Sequence, residues 1–301
     1  NASLKVPQEV LTLQEPLRII PGETKEFRFL CHLPGDVMLK ALPCDQLTIS
    51  PTIRGEKGEF RIPVRAAQEF RPEEARVFRV QIFRDGKAFG EPIEFPISKI
   101  HYISMGKMTK IGSITRQNQV RRMLPDTPEY GKLFWTGTRD CAVFFGATAG
   151  KTDLHFQIGM NDDVHVQHFP AEEMWKGDSI QLVLQFPGQS DYWELGIAMT
   201  EDGKMLKHIW HAPKGMDLKK ALEGFRTHGK KLTKSHNFHL ILTLSAFGTS
   251  PEALRKTGAY FNLLANDNDG ELRESQLSFM GSDGTNPTER LTRGSPLLVV
   301  K

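Results

Sequence analysis

The chain has 301 residues, of which 39% are hydrophobic and 25% are charged, and these values are typical of a folded globular protein of about two domains. Its 39 Lys and Arg residues nearly balance its 36 Asp and Glu residues, which argues against a dedicated nucleic-acid binder. The longest strongly apolar stretch, His239 to Phe247, is much shorter than the roughly 18 residues of a transmembrane helix, so no membrane span is expected.

The three cysteines, Cys31, Cys44 and Cys141, do not form the pattern of a disulfide scaffold. Cys31 and Cys44 could pair, but we favour single buried thiols. The opening Asn1-Ala2-Ser3 has neither the charged nor the apolar region of a signal peptide and resembles the scar of a cleaved tag. We therefore expect an excised piece of a longer protein.

Residues 1–105 are expected to form an immunoglobulin- or fibronectin-like β-sandwich. Polar and apolar residues alternate with period two in Thr24 to Cys31, which is the mark of a half-buried strand. Asp85-Gly86 predicts a hairpin, because both residues tolerate a positive φ. The predicted strands are Leu11 to Ile20, Thr24 to Cys31, Gly58 to Val64, Arg76 to Phe83 and Pro92 to Ser98. This domain shows no catalytic or ligand-spaced residues, so we interpret it as a spacer or packing partner.

Residues 106–125 carry five basic side chains and little strand pattern. These side chains are Lys107, Lys110, Arg116, Arg121 and Arg122. The segment is interpreted as a basic, solvated linker between two domains.

Residues 126–301 predict a second, larger β-sandwich with short helical insertions. Met216 to Phe225 has apolar residues at helical spacing behind Asp217, and Pro251 to Lys256 follows Thr249-Ser250, either of which can cap a helix. The predicted strands are Cys141 to Ala147, Asp153 to Met160, Asp178 to Phe186, Tyr192 to Met199, Met205 to Trp210, Asn237 to Phe247 and Ala259 to Ala265. The fold class is therefore all-β.

Four segments of the second domain together resemble carbohydrate-binding module family 9 and the wider group of sandwiches that includes DOMON domains. They are LFWTGTRDCA from Leu133, DLHFQIGMNDDVH from Asp153, WKGDSIQLVL from Trp175 and YFNLLANDNDGELRESQL from Tyr260. The resemblance implies a non-catalytic sandwich that binds sugar chains between aromatic side chains, often carries structural calcium and is often attached to a secreted glycoside hydrolase. A polysaccharide or oligosaccharide, and a catalytic domain of the same parent chain, are then the expected partners, outside the cytoplasm.

A sugar ring needs a flat aromatic side chain for its C–H face and charged or amide groups for its hydroxyls. All four tryptophans lie in the second domain. Trp135 and Trp175 are interpreted as core residues, whereas Trp210, before a Pro-Gly loop, is the best candidate for a sugar platform. Alternation turns one ring of the pair Tyr192 and Trp193 outward. The predicted sugar-binding residues are Trp210, Trp193, Tyr192 and Arg273.

Asp267 and Asp269 lie in the oxygen-rich turn NDNDG, which predicts a calcium site, since Ca²⁺ prefers oxygen ligands. The alternative is a tight Asx turn with solvated carboxylates, to one of which Arg273 could pair. Asp162 and Asp163 point to opposite faces of a strand and cannot act together as a hydrolytic pair.

Three histidine pairs have members three residues apart, a spacing that on strands sends the two rings to opposite faces, so they do not predict a zinc site. The pairs are His165 and His168, His208 and His211, and His236 and His239. A haem-binding DOMON-like domain would need an axial Met or His pair; Met160, Met199 and the histidines are candidates, but no spacing selects a pair. No catalytic motif is present, so the fragment is expected to bind carbohydrate; structural accessory domains without a ligand site are the alternative.

Overall fold

The computed structural model describes residues 10–14, 17, 19, 22–50, 53–54, 58–68, 77–97, 100–124, 134–270, 272–280 and 297–301. Within these residues the protein is all-β, as predicted, and it divides into two compact units, Asn1–Ile100 and His101–Lys301. None of the described helices has the length and apolar character needed to cross a membrane. The opening Asn1–Ser3, and Arg76, Ser98 and Leu133 of the segments named above, lie outside the described residues.

The first unit consists of two antiparallel sheets with strand orders β1-β2-β6-β4 and β5-β3-β7-β8, and β9 pairs with β7. The strands are β1 (Leu11–Leu13), β2 (Thr24–Cys31), β3 (Val37–Ala41), β4 (Leu47–Ile49), β5 (Ile53–Arg54), β6 (Glu59–Ala66), β7 (Val77–Arg84), β8 (Lys87–Ala88) and β9 (Ile93–Pro96). Strand β6 alternates exposed and buried residues along its whole length, because one face packs on the core and the other meets water. The predicted hairpin is confirmed, since Asp85 and Gly86 both have a positive φ between β7 and β8.

The described residues of the second unit also form two sheets, one of eight strands and one of five. Its strands are β10 (Ile100–Ile103), β11 (Thr109–Ile114), β12 (Val120–Arg122), β13 (Cys141–Ala149), β14 (Asp153–Asp162), β15 (Ser179–Gln185), β16 (Trp193–Met199), β17 (Met205–His211), β18 (Phe225–Leu232), β19 (Ser235–Thr243), β20 (Ala259–Asp267), β21 (Ser275–Ser278) and β22 (Leu297–Val300). The larger sheet has the order β10-β22-β20-β15-β16-β17, extended from β20 through β21 to β12, and the smaller has the order β11-β13-β14-β19-β18. One hydrophobic core joins the inner faces of both sheets.

Part of the predicted linker is folded into the second unit. Strand β11 pairs with β13, and β12 pairs with β21, so residues 109–114 and 120–122 belong to the two sheets. Ile111, Ile114 and Val120 are buried in the core. The basic side chains hid this pattern, because an edge strand keeps its polar face in water.

Both predicted helices of the second unit are confirmed, the first with shorter bounds and the second with the bounds predicted. The first, α1 (Leu218–Gly224), begins after Asp217, whose carboxylate accepts a hydrogen bond from the Lys220 amide. The second, α2 (Pro251–Lys256), is capped by Ser250, whose hydroxyl accepts from the Ala253 amide. Three 3₁₀ segments of the described residues were not predicted: Gln117–Gln119, Ala171–Lys176 and Leu244–Phe247. Ala171–Lys176 borders the site described next. The three cysteines are free thiols, as favoured above.

Candidate functional site

A cleft of about 390 Å³ lies on the outer face of the eight-stranded sheet. It is lined by Trp175, Gln181, Tyr192, Glu194, Trp210, His211, Arg273 and Gln276, and we call it the indole cleft. Strands β15 and β16 are buried on both faces, yet they carry Gln181 and Glu194 on the outer one. Buried polar side chains on a sheet face cost free energy unless they have hydrogen-bond partners, and they make this face a candidate for recognition.

Trp210 lies at a β-bulge in strand β17. Glu194 pairs with His211 and Leu195 pairs with Ile209, so Trp210 is an extra residue with none opposite. A bulge of this kind redirects a side chain. The indole lies over Gly196 of β16, where a Cβ atom would come within 3.1 Å of its Cζ2 atom. Trp210 therefore rests flat against the sheet because residue 196 has no side chain.

The second indole of the cleft is that of Trp175, which is 36% exposed and not the core residue that the sequence predicted. It belongs to the 3₁₀ segment Ala171–Lys176, and the Trp210 Nε1 atom holds this segment by donating to the Glu172 carbonyl at 2.8 Å. The guanidinium carbon of Arg273 lies 5.0 Å from the centroid of the Trp175 ring. This cation–π contact fixes both side chains at the edge of the cleft.

An amide network forms the polar wall of the cleft. Asn266 Oδ1 accepts hydrogen bonds from Arg273 Nη1 at 2.9 Å and from Gln276 Nε2 at 3.0 Å. Gln276 Nε2 also lies 3.2 Å from Gln181 Oε1. The buried Oε1 atom of Gln276 has no hydrogen-bond partner among the described residues.

Arg273 retains its positive charge in this wall. Burial lowers the pKa of Arg273 to about 10, and repulsion from Arg121 acts in the same direction. The side chain therefore stays protonated at neutral pH and can donate charge-assisted hydrogen bonds.

Tyr192 borders the cleft on the side of strands β16 and β17. Its ring stacks on His211 with 4.4 Å between the centroids, and His211 Nε2 lies 2.8 Å from a carboxylate oxygen of Asp191. Trp210, Tyr192 and Arg273, which the sequence singled out, thus lie around one cleft.

The structure corrects the prediction that Trp193, the fourth predicted sugar-binding residue, contacts a sugar. Its side chain is fully buried, donates a hydrogen bond to Gln189 and packs edge-on against Phe247. Alternation along β16 turns Tyr192 outward and Trp193 into the core, so Trp193 has no surface for a ligand. Met160 and Met199, the residues considered for haem, are buried in the same core.

The sequence reasoning missed Gln181, Glu194 and Gln276. The available signal was a Gln or Glu at the alternate positions of otherwise apolar strands, where a buried polar group needs a reason.

A larger cavity, of about 860 Å³, opens on the outer face of the five-stranded sheet. Phe144 is the large apolar side chain exposed there, at 42%, and the other lining residues include Lys110, Gln157, His228 and Lys230. No tryptophan lines this cavity among the described residues, so the smaller indole cleft is the better candidate for recognition of a sugar face.

A cluster of carboxylates lies beyond the polar wall of the cleft. Three groups have ligand atoms within 4.8 Å of one another: Asp140, Asp269 and Glu274; Asp162, Asp178 and Asp267; and Asp162, Asp163 and Asp269. Asp267 is completely buried, and neither of its carboxylate oxygens has a hydrogen-bond partner in the described part of the chain. The same holds for both oxygens of Glu274, which is 1% exposed.

The predicted calcium residues Asp267 and Asp269 thus fall into neighbouring groups of one acidic cluster. The Asx turn that was the alternative is also present, since the Gly270 amide donates to Asn268 Oδ1 at 2.9 Å. Arg273 points to Asn266 and Trp175, and not to the acids as the sequence had suggested it could.

Burial and mutual repulsion disfavour the charged forms of these acids. Burial, followed by repulsion from neighbouring carboxylates, raises the pKa of Asp269 to about 7 and that of Glu274 to about 9. The pKa of Asp178 is raised to about 8, mainly by burial, and that of Asp267 is raised well above its ordinary value by burial and by Asp178. A bound cation would remove this penalty, because it neutralises the charges that repel one another.

Two histidines stack beside the acidic cluster. The rings of His165 and His236 are 4.0 Å apart between centroids, and their planes differ by 32°. Burial lowers the pKa of His165, but the carboxylates of Asp162 and Asp178 outweigh burial and raise that pKa to about 9. Burial lowers the pKa of His236 to about 4, which keeps its ring neutral.

No family model and no curated protein matches the chain. Among solved structures it is similar to a family 9 carbohydrate-binding module from Caldicellulosiruptor kristjanssonii in complex with cellotriose, with 16% identity over 67% of this chain and 94% of that chain, and a TM-score of 0.44. A family 9 module from the same organism in complex with glucose gives 15% identity over 67% and 96% of the two chains, also with a TM-score of 0.44.

Proposed function

We propose that the second unit is a non-catalytic carbohydrate-binding domain and that the indole cleft is its saccharide site. The observation that carries the proposal is the combination of two partly exposed indoles with a buried amide wall in one cleft. Trp210 and Trp175 offer apolar faces to the C–H groups of a sugar ring. Arg273 donates charge-assisted hydrogen bonds to ring hydroxyls.

Binding fits the cleft better than hydrolysis does. Glycoside hydrolysis uses a pair of carboxyl groups on either side of the scissile bond. Glu194 is the single carboxylate among the described residues that line the cleft. A structural role without any ligand site would leave the open aromatic cleft unexplained.

The proposal extends to a calcium-type site in the acidic cluster. The unpartnered buried oxygens of Glu274, which group with Asp140 and Asp269, fit such an ion, because Ca²⁺ takes six to eight oxygen ligands. Asp140, Asp269 and Glu274, with Asp163 nearby, would hold it. The bound ion would supply positive charge that fixes the turn before β21. An extracellular or periplasmic parent protein with a catalytic domain remains a prediction from the resemblance.

The test is isothermal titration of the protein with cello-oligosaccharides, followed by a wider panel of soluble polysaccharides. We expect binding that is lost in Trp210→Ala and in Trp175→Ala. Phe144→Ala is the matched control, because it removes an exposed aromatic ring from the other sheet, and it should bind like the wild type. Equal affinity of all three variants, or no binding to any glycan of the panel, would refute the assignment.

A further inference from the structure

We propose that His165, His236 and Asp162 form a structural site for a divalent transition-metal ion of the zinc class, separate from the oxygen-lined site of the acidic cluster. The three residues come from the end of β14, the loop behind it and the start of β19. Their ligand atoms lie within 4.8 Å of one another. The site goes beyond carbohydrate binding and does not depend on it.

The first argument is the orientation of the His165 ring. Its Nε2 atom lies 2.8 Å from the Met199 carbonyl oxygen, which can only accept, so Nε2 carries a proton. In the neutral ring the lone pair of Nδ1 then points away from Met199. A ring nitrogen held by a backbone carbonyl, with the other one bare, is the usual arrangement of a metal-binding histidine.

The second argument is what surrounds Nδ1 of His165. This atom is 3.5 Å from Asp162 Oδ2 and 3.3 Å from Asp178 Oδ2, yet it forms no well-aligned hydrogen bond among the described residues. Ligands about 2.0–2.1 Å from one tetrahedral ion lie about 3.3–3.4 Å apart. The spacing of these electron-rich atoms is therefore the spacing of ligands around a shared ion.

The third argument is the isolation of His236. Its side chain is 2% exposed, and neither ring nitrogen has a hydrogen-bond partner in the described part of the chain. Stacking on His165 leaves both nitrogens unsatisfied, and an unpaired buried polar group costs free energy. A metal ion would bind one ring nitrogen of His236, the Nδ1 atom of His165 and the free Oδ2 atom of Asp162 at once.

The ligand types separate this site from a calcium site. Imidazole nitrogens suit zinc and its neighbours in the first transition row, whereas Ca²⁺ takes oxygen ligands. Asp178 Oδ2 is close enough to complete a set of four ligands. The side chains are almost completely buried, with 9% exposure at His165 and none at Asp162, so the ion would stabilise the fold and would have no open position for a substrate.

The competing arrangement is a protonated His165 between two carboxylates. A proton on Nδ1 of His165 can form a hydrogen bond to one carboxylate only, and it leaves both ring nitrogens of His236 without a partner among the described residues. Metal and proton compete for the same lone pair, so direct measurement of metal binding distinguishes the two arrangements.

The experiment uses the whole protein, stripped of metal by a chelator and returned to buffer with excess Ca²⁺. Zn²⁺ is then titrated in competition with a chromophoric chelator. We expect a single zinc ion per chain that excess Ca²⁺ does not displace, and His236→Asn should weaken binding by roughly 100-fold or more. His239→Asn is the matched control, because it disrupts the partly buried His155–His239 pair, 3.2 Å apart, on the opposite face of the same sheet. Its zinc affinity should equal that of the wild type.

A measurement on the wild type keeps the test decisive even if His236→Asn fails to fold. X-ray absorption of the zinc-loaded protein should show two imidazole ligands, and the cobalt-substituted protein should show visible d–d absorption. No zinc binding, displacement of zinc by Ca²⁺, unchanged affinity in a folded His236→Asn variant, loss of binding in His239→Asn, or a spectrum without imidazole would each overturn the proposal.

Discussion

Gly196→Ala tests whether the flat placement of Trp210 creates the saccharide platform. The added Cβ would lie 3.1 Å from Cζ2 of Trp210 and closer still to Cζ3 and Cη2. Unstrained carbon atoms stay about 3.5–4.0 Å apart, so the indole must withdraw from the sheet by roughly 1 Å. Gly196 does not have a positive φ, and alanine is therefore compatible with its backbone conformation.

We expect Gly196→Ala to weaken saccharide binding by about 1–2 kcal/mol, or roughly 5- to 30-fold, because the ring leaves the position in which it stacks. The fold should change little, since the indole can move outward into the open cleft. Isothermal titration measures the affinity, and a thermal melt measures the stability. Gly159→Ala is the matched control, a strand glycine of the other sheet whose Cβ would meet Asn237 Oδ1 at 3.3 Å. Unchanged affinity in Gly196→Ala, with affinity still lost in Trp210→Ala, would show that ring placement does not matter.

The acidic cluster and the buried tryptophan give three further predictions. Chelation by EDTA should lower the melting temperature, and Ca²⁺ should restore it, as followed by calorimetry. In the metal-free protein, the raised carboxyl pKa values mean that the folded state binds more protons than the unfolded state. The free energy of unfolding should therefore fall as the pH rises from about 4 through the pKa of Asp269, about 7, and that of Glu274, about 9. A melting temperature that does not change with pH in EDTA would contradict this. Trp193→Phe should lower the free energy of unfolding, measured with urea, by roughly 1–3 kcal/mol, while the folded variant keeps its saccharide affinity. A loss of affinity without a loss of stability would show that Trp193 belongs to the saccharide site.

The strands were predictable where one face meets water and the other the core. Strand β6 alternates without interruption, and the Asp85-Gly86 turn needs residues that accept a positive φ, so both are visible in the sequence. Strand β11 was missed because its basic side chains were interpreted as a linker. Ile111 and Ile114 are three residues apart, which is not the period-two spacing of a regular strand, and both are buried where the register with β13 shifts between Lys110 and Gly112.

The site was predictable only in part, because it depends on pairing between distant strands. Trp210 stood out before its Pro-Gly loop, but its orientation follows from a bulge set by the register with β16. The stacking of His165 on His236 requires that β14 pair with β19, which places Met160 opposite His236. The sequence analysis considered His165 together with His168, its neighbour along the chain, and therefore could not predict this contact.

Residues of the polar wall are followed or preceded in the chain by residues of the acidic cluster. Asn266 holds Arg273 and Gln276 in the cleft, whereas Asp267 and Glu274, next to Asn266 and Arg273 in the chain, face the acidic cluster. If both proposed sites are occupied, loss of the cation would loosen the backbone that carries Arg273 and Gln276 and would lower the affinity for saccharide. Bound saccharide would then raise the affinity for the cation by the same factor. A glycan would then be released when divalent ions become scarce, and equal saccharide affinity with and without EDTA would show that the two sites are independent.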